Sequence, residues 1–227
     1  KVSIVFTSAG NPELWTGYLR EMGITVVHVV SSVKFARKAE KCGVDAIVAE
    51  GFEAGGHNGR EETTTFVLIP MVRDAVSIPL IGAGGIATGR SMLASEILGA
   101  EGFQVGSRFA VSHESSAHDK FKAKITASEE GQTTVTMRQL TPVRILKNKF
   151  YEKIKDAELR GATKEELIEM LGSRRAKLGI FEGDLDEGEL EIGQISSSIK
   201  KIQAAKEILE EMWEEYRALR KAMCMEQ

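Results

Sequence analysis

Three things are scarce in this sequence, and each scarcity narrows what the protein can be. Cysteine occurs twice in 227 residues, as Cys42 and Cys224, each within a segment that reads as helix. Two such distant thiols make neither a disulfide framework nor a metal-ligand cluster, so no metal site is expected and a reducing cytoplasm is the expected compartment. No apolar run approaches the ~20 residues that span a bilayer, and the first residues read as strand rather than signal peptide, so no membrane association is expected. An excess of positive charge is missing too. The formal net charge is −3, which leaves no basic footprint for nucleic acid. What remains is ordinary globular composition, 42% hydrophobic and 28% charged, in a chain long enough to bury a substantial core.

Within the first hundred residues, short β-branched runs alternate with helical patterns. The spacing predicts strands over residues 2–6, 25–30, 46–49, 79–82 and 102–105, apolar nearly throughout, as parallel strands covered on both sides are. Helices are predicted over 12–22, 33–42, 66–76 and 88–98, the third with Phe66, Ile69, Val72 and Val76 on one buried face. Gly23, Gly43 and Gly99 stand where helices should stop. Strict β-α alternation implies a parallel sheet with right-handed crossovers.

Every predicted strand ends in a loop of small or polar residues: Thr7 to Gly10, Ser31-Ser32, Glu50 to Gly59, Ala83 to Gly85, and Gly106 to Arg108. An open sheet gathers its ligand at one switch point, whereas all C-terminal loops of a barrel face one centre. The fold class expected is therefore α/β, a parallel β/α barrel of TIM type. Five strands do not close an eight-stranded barrel, and the chain opens at Lys1 directly in an apolar strand. The expectation is a barrel incomplete at its N-terminus, with about three βα units upstream.

After Phe109 the pattern changes. Residues 112–127 read as a charged helix carrying His113 and His118 as surface or capping groups, and 133–143 as a looser, strand-poor stretch. Thr163 and Glu166 form a capping box for a helix ending near Gly172. Residues 183–193 read as an acidic loop. A last helix places Ile199, Ile202, Leu209, Met212, Trp213, Tyr216 and Leu219 on one face, to be packed on the barrel or on a partner subunit. The domain reading is a barrel portion over 1–150 and a C-terminal helical extension over 151–227 that packs on it.

Three stretches can carry chemistry. In Glu50-Gly51-Phe52-Glu53-Ala54-Gly55-Gly56-His57-Asn58-Gly59, glycines let backbone approach a ligand, and His57 sits where its imidazole could enter a barrel mouth. A loop histidine capping a carbonyl is the plainer alternative. Four surrounding glycines at a strand's end favour function. In Gly82-Ala83-Gly84-Gly85-Ile86-Ala87-Thr88-Gly89, glycines before a helix expose N–H groups that suit a phosphate. The third stretch, Gln104-Val105-Gly106-Ser107-Arg108-Phe109, ends the next strand, and the pair reproduces the phosphate site that barrels place after strands seven and eight. His28 reads as a core or barrel-lining residue, and Trp15 and Trp213 as packing residues. Arg144 and Lys147 are weak candidates for meeting an acidic substrate carrier.

Taken in this order and spacing, E-G-F-E-A-G-G-H-N-G, A-G-G-I-A-T-G and Q-V-G-S-R-F resemble the family that contains nitronate monooxygenases and the FMN-dependent enoyl-acyl-carrier-protein reductase II. G-D-L-D-E-G-E-L-E-I-G-Q extends the resemblance to about Gln194. It implies an FMN-holding β/α barrel whose fourth to eighth strands are present. It makes His57 the catalytic histidine beside the flavin ring, and Gly84, Gly85, Gly106 and Ser107 phosphate binders. Glu50, Ala54 and Ala83 become neighbours of the flavin tail, and Gly55 and Gln104 further cofactor contacts. E-A-G-G-H followed by Thr63-Thr64-Thr65 resembles the reductase more; bacterial nitronate monooxygenases often show aspartate at Glu50, cysteine at Ala54 and lysine at Val29. The activity implied first is hydride transfer from NADH or NADPH through FMN to a small or acyl-carrier-protein-bound enoyl thioester, by a homodimer. The alternatives are oxygen-dependent oxidation of nitronates, a nonredox phosphate-ligand barrel such as an isomerase, and an inactive fragment used for binding.

Overall fold

The computed structural model describes residues 2–225, with side chains through Met223. In chain order its first half holds β1 (Ile4–Thr7), α1 (Glu13–Glu21), β2 (Thr25–Val30), α2 (Val33–Lys41), β3 (Ala46–Glu50), β4 (Gly56–His57), α3 (Thr65–Arg73), β5 (Leu80–Ala83), α4 (Gly89–Ile97) and β6 (Gly102–Gln104). The second half holds α5 (Ser107–Ala110), α6 (Asp119–Thr126), β7 (Thr133–Thr136), β8 (Val143–Leu146), α7 (Lys149–Leu159), α8 (Lys164–Leu171) and α9 (Ala205–Met225). By compactness the chain divides into two units. One takes residues up to Phe52, Glu61–Gln104 and from Glu215 on; the other takes Glu53–Arg60 and Val105–Glu214. The boundary drawn from the sequence at residue 150 falls inside the second.

In the first unit β1, β2, β3, β5 and β6 pair side by side, all parallel. The order never reverses, as in a barrel and unlike a doubly wound sheet. Each of these strands lies within two residues of its expected place, and α1, α2 and α4 stop where expected, before Gly23, Gly43 and Gly99 at positive φ. One face of the sheet (Val26, Val30, Ile47, Ala49, Leu80) packs on Ala36 and Ala39 of α2 and Leu68, Ile69 and Val72 of α3. The alternate residues Val27, Val48 and Ala83 form a separate apolar cluster with Val29 and Ile81.

Ile4 and Phe6 are more than half exposed on β1, which pairs only with β2. Two expectations fail in this unit. Phe66 is 70% exposed, and α3 buries Leu68, Ile69 and Val72 instead. Trp15 is 60% exposed rather than packed. Apolar residues surround α3, so periodicity alone does not say which arc meets the sheet. The end of the chain packs here as well. Tyr216 meets the Phe103 ring edge-on with centroids 6.0 Å apart, and its hydroxyl donates to Glu96 Oε2 at 2.7 Å.

The second unit contains a three-stranded antiparallel sheet in the order β4-β8-β7. The stretch 133–143, expected to be strand-poor, therefore holds β7 and leads into β8; four residues of Thr-Thr-Val-Thr are too short to announce a strand without the partner. The charged helix begins only at Asp119, with His118 as its cap: the Lys120 N–H donates to His118 Nδ1 at 3.1 Å. His113 precedes the helix, and its N–H donates to the Gln203 carbonyl. The Thr163–Glu166 capping box forms as expected, and α8 ends at Gly172. The acidic stretch 183–193 is not a solvated loop. Glu189, Leu190 and Ile192 are buried, and Glu191 bridges Ile145 beside β8. Likewise α9 starts after Ile199 and Ile202, and its buried positions are Ile208, Met212 and Tyr216 while Leu209 and Trp213 are exposed. Among the described residues no helix is long and apolar enough to cross a membrane.

Candidate functional site

In the first unit, three of the sequence-predicted residues fall on one row across the sheet. Glu50 at the end of β3 is the register partner of Ala83 at the end of β5, and Ala83 that of Gln104 at the end of β6. Because the strands are parallel, these positions share the C-terminal edge. Glu50 alternates with Val48, so it rises from the apolar cluster and not from the helix-packed face. Burial pushes its carboxyl up to about 7, leaving a proton acceptor or donor poised near neutrality.

The loop after β5 is braced from behind by a residue the sequence reading used only as a family marker. Thr65 donates its hydroxyl to the carbonyls of Ala83 at 3.2 Å and Gly84 at 2.9 Å. Gly84 has φ +92, and a Cβ there would come within 2.8 Å of both the Gly51 carbonyl and Thr65 Oγ1, so the fold itself demands glycine. The helix-start reading needs correction. In the first turn of α4, Gly89 N–H donates to Glu215 Oε2 at 2.7 Å and Ser91 N–H to Thr88 Oγ1 at 3.1 Å. Those donors are already engaged by the protein, so an anion would be met by the Gly84-Gly85 turn preceding the helix.

In the second unit, His57 lies on β4 opposite Val143 of β8. Its ring is exposed and hydrogen-bonds to no described residue, which removes the carbonyl-capping alternative. The loop before it is cinched by Asn58, whose side-chain N–H groups donate to the Ala54 carbonyl at 3.0 Å and the Gly56 carbonyl at 3.1 Å. Glu191 closes on the same turn: a Cβ on Gly56 would stand 2.9 Å from its Oε2. Burial raises the Glu191 carboxyl and the nearby His57 partly offsets that rise.

The same unit joins the other predicted residues through Gly193, which the sequence reading left outside the site. Gly193 N–H donates to Ser107 Oγ at 3.0 Å, and Gln194 N–H to the Glu53 carbonyl at 2.9 Å. Gly55 is pressed against Ile192 and Gly193 so closely that no side chain fits. Gly106 is different. Its φ of −96 suits any residue, and a Cβ there meets nothing within 4 Å. Arg108 is tied to Gln203 Oε1 at 3.0 Å and Glu211 Oε2 at 2.6 Å. Arg144 is buried, so it is not a surface cation for an acidic carrier; Lys147 donates to the Gly131 carbonyl. His28 is a core residue with its ring 2.7 Å from Thr7 Oγ1, and burial lowers its pKa.

Comparison with known proteins gives this arrangement its context. The structure of FabK from Thermotoga maritima superposes on 99% of the chain with TM-score 0.92 and 39% identity, covering 71% of that protein. Nitroalkane oxidase from Streptomyces ansochromogenes covers 98% of the chain and 66% of its own length, with TM-score 0.81 and 27% identity. With these matches the five parallel strands are part of a TIM-type β/α barrel, the expected fold class. A probable nitronate monooxygenase from Staphylococcus aureus strain JH9 is 41% identical over 149 residues, 62% of this chain. The chain spans 42% of the length of that curated relative. The family description nitronate monooxygenase matches residues 1–215, and the chain belongs to this family of FMN-dependent oxidoreductases.

Proposed function

We propose that the chain holds FMN and serves reduction of an enoyl thioester, free or carrier-bound, with NADH or NADPH as the electron source. The observation that carries the choice within the family is the wall beneath the Glu50–Ala83 row. Val29 packs there, partly buried, against Val27, Val48 and Ala83, an apolar surrounding where the monooxygenase pattern carries lysine. Glu50 and Ala54 depart from that pattern in the same direction. The match to the Thermotoga protein is also closer in identity and geometry than that to the nitroalkane oxidase.

The residues present fit the cofactor. Gly106 offers open space beside its backbone, a place that a Cβ would fill. Ser107 Oγ accepts from Gly193, leaving its own O–H to donate to a phosphate oxygen. Within the second unit we assign Gly106 and Ser107 to phosphate binding and Ala54 and Gly55 to the flavin's surroundings; within the first, the family resemblance gives Gly84 and Gly85 a phosphate role and Glu50, Ala83 and Gln104 a place near the flavin. The chemistry FMN supplies when bound is hydride transfer from reduced nicotinamide to the β-carbon of the enoyl thioester. His57, exposed and near Glu191, donates the proton that the α-carbon then requires.

Nitronate oxidation is the second reading, favoured by the names of the curated relatives. Anaerobic NADH-driven reduction of a crotonyl thioester, set against oxygen-dependent consumption of a nitronate, separates the two. Rapid nitronate turnover with the thioester untouched would end the reductase assignment.

A further inference from the structure

On α2, Lys34, Arg37, Lys38 and Lys41 stand at helical spacing on one exposed face, opposite the buried Ala36 and Ala39. They line a shallow cleft of about 550 Å³ together with Val33, and the half-exposed ring of Phe35 flanks it. None of the four cations has a hydrogen bond or ion pair among the described residues. Several exposed lysines elsewhere are paired: Lys149 with Asp186 at 2.7 Å, Lys153 with Glu187 at 2.6 Å and Lys201 with Glu211 at 2.9 Å. The acid of α2, Glu40, is turned away, accepting both the N–H and the hydroxyl of Ser77 at 2.7 Å.

Helix stability does not account for this stripe. Cations in the last turn, Lys38 and Lys41, suit the helix dipole, but Lys34 in the first turn opposes it. Like charges three and four residues apart repel besides. A concentration of unpaired positive charge on a chain of net charge −3 is local, about 10 Å long from Lys34 to Lys41, the footprint of one helix of a small partner. A nucleic acid or an anionic membrane calls for a broader basic surface. The position is also telling. α2 follows β2 directly through Ser31 and Ser32, so its first turn lies at the same sheet edge as Glu50 and Ala83.

We infer that the basic face of α2 is the docking surface for an acidic acyl carrier protein that presents the thioester. This rests on the reductase reading above, and it places the carrier on α2 rather than on the buried Arg144. Attraction of this kind sets encounter rate and specificity and is screened by salt.

The test titrates fluorescently labelled acyl carrier protein with the flavin-loaded protein, reading anisotropy. Wild type should bind with a Kd that rises with salt. A Lys34→Gln/Arg37→Gln/Lys38→Gln variant should bind roughly tenfold more weakly and with a flatter salt dependence, whereas Lys34→Arg/Lys38→Arg should bind as wild type does. KM for carrier-bound crotonyl thioester should rise in the glutamine variant, with turnover of crotonyl-N-acetylcysteamine unchanged. An unchanged Kd, no carrier binding by wild type, or binding through α2 to anionic vesicles or DNA in place of the carrier would each overturn the inference. Carrier binding through α2 without reduction of either thioester would sink the reductase reading and leave the surface standing. Reduction of both with binding indifferent to α2 would do the reverse.

Discussion

The N–H of Gly193 donates to the hydroxyl oxygen of Ser107 across 3.0 Å, joining two segments far apart in sequence within the second unit. Gly193 has an ordinary φ of −75, so glycine is needed for space alone: a Cβ would lie 2.8 Å from Ser107 Oγ and 2.9 Å from the Glu53 carbonyl. Gly193→Ala should lower unfolding free energy by about 1–3 kcal/mol in urea, and FMN content should fall with it. Unaltered stability would show that the segment yields at no cost.

Gly106 and Gly84 should fail differently. Gly106→Val adds atoms to open space at φ −96, so the protein should fold with wild-type stability yet purify nearly colourless. Gly84→Ala strains a backbone at φ +92 and drives a Cβ into Gly51 and Thr65, so it should cost stability first. Full flavin content in folded Gly106→Val would show that this turn does not meet the cofactor.

His57→Ala should keep both fold and flavin, since the ring is exposed and hydrogen-bonds to no described residue. Turnover should drop by roughly 10²–10⁴-fold, the usual contribution of a general acid. A variant with wild-type kcat on whichever substrate proves active removes His57 from the chemistry.

Stability should decline as pH rises from the ordinary carboxyl range through about 7. Burial pushes Glu50 up to about 7, and burial with the neighbouring Glu191 does the same to Glu189 against the pull of Arg175. Between the unfolded and folded values the native state holds protons that the unfolded chain has released, so the slope is negative. Glu50→Gln should remove part of that slope, at most about 3 kcal/mol across the window, and Glu189→Gln a separate part. Urea unfolding at a series of pH values checks this; parallel curves for wild type and Glu50→Gln would contradict it.

Much of the first unit was legible because its signals are local. A continuous apolar run marks a strand covered by helices, and a glycine at positive φ stops a helix whatever surrounds it, so the parallel strands and the glycine-stopped helices fell within two residues of their places. The motifs at Glu50, Ala83 and Gln104 could be read as strand ends, and from parallel strands alone it follows that they share an edge.

What the sequence by itself determined is thus the order of elements and the residues that end them; what only the tertiary structure decided is who faces whom. β4 and β8 pair Gly56 with Arg144, and no local pattern in either two or four residues encodes a partner so distant. Arg144 reads as a surface cation until that pairing buries it. Trp15 and Phe66 read as core until the helices turn other arcs toward the sheet. Gly84 and Gly106 look alike as letters, yet one is confined by Gly51 and Thr65 and the other by nothing, because crowding is a property of neighbours brought by the fold.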